Sequence, residues 1–236
     1  MEQMRQPLVI FDCDGVLVDS EPLSIRVLID AVKAHGGELG EQQAYQRFLG
    51  RSMAHMVSVL DADFGIHADA AFLERMRQDL YRSFEADLQP IAGIADALSA
   101  MPWRRCVASS SQPERIRLSL GLTGLLGFLE PHVYSASMVA NGKPAPDLFL
   151  HAAREMGADP ADCIVIEDSP AGILAAQRAG MAVFAFTGGS HADREEYRTE
   201  IAALSPDVVF DAMPDLLHLI ANYISDPAGR PTVAAP

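Results

Sequence analysis

The chain has 236 residues, 49% of them hydrophobic and 21% charged, enough apolar content for one large domain or two small ones. Its net charge of −14 argues against non-specific binding to nucleic acid or an anionic membrane, both of which need a basic face. It leaves open an anionic substrate held by locally positive groups.

In chain order, the start MEQMRQPLVI carries no long apolar segment behind a basic region, so no signal peptide is expected. The first element is a strand over residues 8–12, where Leu8-Val9-Ile10 runs into FDCDGVLVDSE (residues 11–21). That stretch brings Asp12 and Asp14 to a strand tip. Carboxylates so close repel each other, and burial makes each costlier to ionise, so a cation is required from elsewhere.

Residues 19–88 have a helical texture in EPLSIRVLIDAVKAHGG, EQQAYQRFLG, SMAHMVSVLDADFG and AAFLERMRQDLYRSFEADL, with Gly36-Gly37, Gly50 and Gly65 as stops. A parallel crossover needs little beyond its own helix, so this segment predicts a separate all-helical lobe. Inserted after the first strand, it belongs over that strand's carboxyl end, where ligands bind in open α/β sheets.

From residue 89 onward, short apolar runs alternate with amphipathic stretches. The runs are RRCVAS (104–109), HVYSA (132–136), CIVIED (163–168), MAVFAF (181–186) and DVVF (207–210). Between them lie PERIRLSLGL, PDLFLHAAREMG, SPAGILAAQRAG and MPDLLHLIANYI. The alternation predicts a doubly wound parallel α/β sheet over residues 1–18 and 89–225, with the helical cap at 19–88. The tail, 226–236, is rich in Pro, Ala and Gly and is expected to be disordered. Cys13, Cys106 and Cys163 form no CxxC pair and read as reduced core thiols. No stretch approaches the roughly 18 apolar residues of a spanning helix, and a cytoplasmic location is expected.

Four strand tips carry polar groups. The first gives Asp12 and Asp14, the second Ser109, Ser110 and Ser111 in ASSSQ. NGKPAPD supplies Lys143 ahead of a helix opened by proline, and IVIEDSPAG supplies Glu167 and Asp168. The carboxylates Asp12, Asp14, Glu167 and Asp168 make a hard-oxygen set suited to Mg²⁺. Lys143 adds a point charge for an anion. Ser109 offers a hydroxyl, and the backbone N–H groups after it can bind phosphate oxygens. Together they describe a phosphoryl site. Asp12 would attack phosphorus and form an acyl phosphate. Asp14 would protonate the leaving oxygen and then deprotonate the attacking water.

These segments resemble the haloacid dehalogenase superfamily, in the branch of β-phosphoglucomutase and small sugar phosphatases. FDCDGVLVDSE is similar to its first motif, VASSS to its second, GKPAPD to its third and IVIEDSPAG to its fourth, in family order over residues 8 to about 224. The resemblance implies Asp12 as nucleophile, Asp14 as general acid/base, and Ser109 and Lys143 as phosphate ligands; Ser110 is expected to bind beside them, through its N–H more than its hydroxyl. It implies Mg²⁺ held by Asp12, the Asp14 carbonyl and Asp168, with Glu167 nearby. Gly50 and Arg51, in FLGRS, resemble the cap segment that reads substrate.

Asp14 favours phosphoryl transfer over carbon–halogen chemistry. Phosphonate-cleaving relatives use a cap lysine, and here the cap holds only Lys33, in an early helix. Mutase relatives carry a histidine where Ser24 stands and an arginine where Met53 stands, which favours a hydrolase; a silent sugar-phosphate sensor is the other alternative. A receiver domain would be about half as long and would lack the inserted lobe. The expected enzyme is a Mg²⁺-dependent phosphatase of a small phosphorylated sugar, sugar acid or polyol, a monomer or weak homodimer. The stretch DCDGVLVDSE is similar to that of bacterial 6-phosphogluconate phosphatases. Asp19 and Ser20 are expected to steady the hinge and Ser111 to be a plain loop polar; His191 follows a strand, within reach of the site, but is expected to lie at the surface.

Overall fold

The computed structural model describes residues 6–50 and 53–225. They form two compact units, one of residues 20–89 and the other of the segments on either side.

The chain opens with β1 (Leu8–Phe11), four apolar residues with no exposed surface. The helical unit follows with α1 (Glu21–Ala34), α2 (Glu41–Phe48), α3 (Met53–Phe64) and α4 (Ala70–Asp87). Gly36, Gly50 and Gly65 follow the first three, each at positive φ, where a side chain would strain the backbone. Asp69 caps α4 by accepting from the Phe72 N–H at 2.8 Å. The unit has its own apolar core, in which Leu28, Val32, Phe48, Leu60 and Phe72 meet. On its surface Arg26 of α1 donates to Asp87 at the end of α4, at 2.7 Å.

The second unit continues through α5 (Ile94–Ala100), β2 (Arg104–Ser109), α6 (Pro113–Leu122), α7 (Leu126–Leu129) and β3 (Val133–Ser135). Then come α8 (Asp147–Glu155), β4 (Cys163–Glu167), α9 (Pro170–Arg178), β5 (Ala182–Phe186), α10 (Glu195–Ala203), β6 (Val208–Phe210) and α11 (Leu216–Ser225). The strands form one parallel sheet in the order β3-β2-β1-β4-β5-β6. Such strands need unbroken apolar sequence because both faces are covered, and β1 and β4 are buried throughout. α8 packs on β1, β2 and β3, and α9 on β4 and β5. Chain order reverses between β1 and β4, which makes their carboxyl ends the switch-point crevice of the doubly wound fold.

The apolar runs fall on the strands to within a residue or so at each end. Three helices, α5, α7 and α10, add to those the sequence pattern predicts. The helix after Lys143 starts at Asp147 with Pro146 just outside it, so Lys143 sits on the preceding loop. All three cysteines are buried free thiols. Among the described residues, no helix is long and apolar enough to cross a membrane. The expected disordered tail lies outside the described residues.

Candidate active site

β1 lies between β2 and β4, with Phe11 level with Val107 and Ile166. The next residue, Asp12, donates its backbone N–H to the Ile166 carbonyl at 3.0 Å. That bond holds the Asp12 carboxylate at the sheet edge beside the end of β4. The chain then turns sharply, and the N–H groups of Leu17 and Val18 both bond the Cys13 carbonyl. Gly15, at φ +80°, permits the turn. It also permits close approach, since a Cβ there would overlap the Asp168 carboxylate and touch the His191 ring.

Lys143 joins the two central strand ends. Its ammonium donates to Asp12 Oδ1 at 2.5 Å and to Glu167 Oε1 at 2.6 Å, and the lysine side chain is 3% exposed. The ring of Phe149 lies 4.8 Å from the same nitrogen. Glu167 is fully buried and accepts from the Ser169 N–H at 2.7 Å and the Ser169 hydroxyl at 3.0 Å. Ser169 also caps α9, accepting from the Gly172 N–H. Glu167 is thereby committed to holding Lys143, and Lys143 to holding Asp12.

Asp14 is held from β2. Ser111 donates its hydroxyl to Asp14 Oδ2 at 2.7 Å, and Arg115 donates to Oδ1 at 2.8 Å. Ser109, at the tip of β2, is buried, and its hydroxyl accepts from the Ser111 N–H at 3.1 Å. Ser110 is exposed between them. Asp168 pairs with His191, whose Nε2 lies 2.9 Å from Oδ2. The Tyr197 hydroxyl donates to the Asp168 carbonyl at 3.0 Å and packs edge-on to the His191 ring.

Two sequence expectations change here. His191 is 1% exposed rather than at the surface, because Gly189, where a Cβ would overlap its ring, leaves room for residues 190–193 to turn back toward Gly15. Ser111 is a direct partner of Asp14 rather than a plain loop polar. Arg115 had no motif to mark it; an arginine one turn into the helix after a serine-rich strand tip is the available signal. The Asp19 carboxylate accepts from the Ser190 hydroxyl at 2.7 Å. Gly50 lies in the helical unit just after α2, and Arg51 lies outside the described residues.

The electrostatics favour a further cation. Burial pushes the Asp12 carboxyl well above the usual carboxylate range; Lys143 opposes this, while Glu167, Asp168 and Asp14 push it higher. Burial alone would lower the Lys143 ammonium, but Asp12 and Glu167 outweigh it and hold the group above its ordinary value. Burial likewise pushes the Cys13 thiol well up, which keeps it neutral and unreactive. Among the described residues, no three His, Cys, Asp or Glu side chains converge as a ready metal cage; each carboxylate is engaged by the protein partner named above. The donor set still fits a small hard cation. Asp12, Asp168 and the Asp14 carbonyl are oxygen donors at one edge, and Lys143 leaves the Asp12 carboxyl only partly compensated.

A profile of the haloacid dehalogenase-like hydrolases matches residues 7–180. The chain belongs to that family. Over 188 residues it is 30% identical to the 6-phosphogluconate phosphatase of Escherichia coli (strain K12), covering 79% of this chain and 85% of that one. It is 32% identical over 179 residues to the fructose-1-phosphate phosphatase YqaB of the same organism, covering 73% and 92%. Among solved structures, a conserved haloacid dehalogenase-like protein of unknown function from Agrobacterium tumefaciens str. C58 superposes with a TM-score of 0.82 at 34% identity, covering 92% of this chain and 99% of that one. This haloacid dehalogenase-like hydrolase therefore has sugar phosphatases among its relatives.

Proposed function

We propose that the protein is a Mg²⁺-dependent phosphatase of a small phosphorylated sugar, sugar acid or polyol, acting through an aspartyl-phosphate intermediate. The observation that carries this is the bridge from Lys143 to both Asp12 and Glu167 at the switch point of the sheet. A permanent ammonium there supplies positive charge where a phosphoryl group must sit, and it aligns the carboxylate that attacks it.

In the first step an Asp12 carboxylate oxygen attacks phosphorus. The bond from phosphorus to the substrate oxygen breaks, and that oxygen takes its proton from Asp14. In the second step Asp14 removes a proton from water, whose oxygen attacks the same phosphorus. The bond to Asp12 breaks, releasing inorganic phosphate. Lys143, the Ser109 hydroxyl and the N–H groups after β2 steady the charge on the phosphoryl oxygens. Asp12, Asp168 and the Asp14 carbonyl would hold Mg²⁺, with Glu167 beside them through Lys143. When bound, the ion supplies Lewis-acid stabilisation of the phosphoryl charge. The helical unit, through the segment with Gly50 and Arg51, would select the carbon end of the substrate.

The test is phosphate release from a panel of phosphorylated sugars, sugar acids, polyols and nucleotides, with Mg²⁺ and with EDTA. The expected result is release from a few sugar or polyol phosphates that EDTA abolishes. Release unaffected by EDTA would remove the metal from the account, and no release from any member would remove the phosphatase.

A further inference from the structure

Asp14 is fixed by a different part of the chain from the one that carries it. Its Oδ2 accepts from the Ser111 hydroxyl and its Oδ1 from the Arg115 guanidinium, so neither carboxylate oxygen is left to rotate. Ser111 is itself held on two sides. Its N–H donates to the Ser109 hydroxyl at 3.1 Å, and its carbonyl accepts from the Ser135 hydroxyl, at the end of β3, at 2.7 Å. Arg115 lies in the first turn of α6, whose start is set by Pro113. Ser111, braced by the tip of β3, and the first turn of α6 thus hold one side chain just past β1. Both partners of the ion pair are largely buried, with 24% of the arginine side chain and 15% of the aspartate side chain exposed.

We propose that Arg115, with Ser111, is a positioning residue for Asp14: it fixes the carboxyl group that passes the proton to the departing substrate oxygen. The inference rests on Asp14 being the acid/base. The aspartate side chain has two rotatable bonds, and without these partners it samples several staggered orientations. Phosphoryl transfer to Asp12 then loses its proton donor for part of the time, while the attack itself is untouched. The defect must therefore depend on the leaving group. An alkyl phosphate expels an alkoxide, which needs the proton as its bond to phosphorus breaks. p-Nitrophenyl phosphate expels a stabilised phenolate, which does not.

The experiment compares kcat/KM for p-nitrophenyl phosphate and for the alkyl phosphate of the panel that the enzyme turns over fastest. Wild type, Arg115→Met, Arg115→Lys, Ser111→Ala and Asp14→Asn are measured in parallel. For Arg115→Met the expected result is a loss of about 10- to 100-fold on the alkyl phosphate, the scale on which a misplaced catalytic group costs rate. On the aryl phosphate kcat/KM stays near wild type. A pre-steady-state burst of p-nitrophenol is also expected, because the water-activating second step still needs Asp14. Arg115→Lys should restore part of the alkyl rate, since it keeps the charge but loses the planar donor.

Equal losses on both substrates would overturn the proposal and place Arg115 on the phosphoryl group or in the scaffold. Unchanged rates on both would overturn it too. If Arg115→Met does not fold, Ser111→Ala carries the same comparison from the other oxygen. If Asp14→Asn discriminates between the substrates and neither of those variants does, the positioning role alone is lost. If Asp14→Asn falls equally on both, the acid/base assignment is lost and this inference with it.

Discussion

The Glu167 carboxylate lies so close to Gly172, in the first turn of α9, that a Cβ on Gly172 would fall inside its atoms. The glycine is what allows a strand-end carboxylate to tuck against the next helix and face Lys143. Glycine in a helix interior costs roughly 0.5–1 kcal/mol relative to alanine, so a Gly→Ala change in open space would stabilise the protein. Gly172→Ala is expected to do the opposite. It should cost about 1–3 kcal/mol, as overpacking does, and should lower activity by displacing Glu167 from Lys143. Urea unfolding followed by fluorescence checks the first part and phosphate release the second; a stabilised, fully active variant would contradict the packing described.

Lys143→Met removes the cation between two buried carboxylates. Removing one partner of a buried pair typically costs about 3–5 kcal/mol, because the other charge stays buried without compensation. The double change Lys143→Met with Glu167→Gln removes part of that burden and should recover a measurable share of the loss. Thermal melts of the single and double variants read this directly. Equal stability in both would mean that Glu167 is compensated by another group.

His191 has an expected effect on cation affinity. Its Nε2 sits 2.9 Å from Asp168 Oδ2, and groups that orient a metal-binding carboxylate commonly contribute 10- to 100-fold in affinity. Titration calorimetry with Mg²⁺ should show weakening of about that size for His191→Leu. His191→Gln, which keeps a polar group near the same place, should retain most of the affinity. An unchanged His191→Leu titration would leave His191 a packing residue against Tyr197.

Arg51→Ala is expected to reorder the substrate panel more than it lowers turnover of p-nitrophenyl phosphate. Equal losses across the panel would move Arg51 from substrate selection into the shared phosphoryl machinery.

The sheet is legible in the sequence because each strand is an unbroken apolar run between helical patterns, as in CIVIED beside SPAGILAAQRAG. α6 even keeps its written limits, with PERIRLSLGL spanning Pro113–Leu122. α5 and α7 are shorter, at 7 and 4 residues, and too brief to develop a helical period. α10 has a run of mixed charge, EEYRTEIAA, with only Tyr197 and Ile201 buried.

At the site, Asp12 and Lys143 stand out because their residue types, in order along the chain, already describe phosphoryl chemistry. Arg115 and His191 do not, because they lie outside the four motifs, and Ser111 does not, because a third serine at a strand tip reads as a loop polar. Arg115 meets Asp14 across 101 positions. His191 is illegible for a related reason: a polar residue after a glycine pair reads as surface. Only the tertiary turn shows that Gly189 leaves room for it beside Gly15 and Asp168.

Everything proposed for the site depends on Asp12 taking the phosphoryl group. That step is tested most directly by mass spectrometry of Asp14→Asn, quenched in acid after brief reaction with p-nitrophenyl phosphate and Mg²⁺. With water activation removed, an added phosphoryl group is expected on the peptide carrying Asp12, absent when Asp12→Asn is combined with it. Phosphate release with no labelled enzyme, or a label on any other residue, would contradict it.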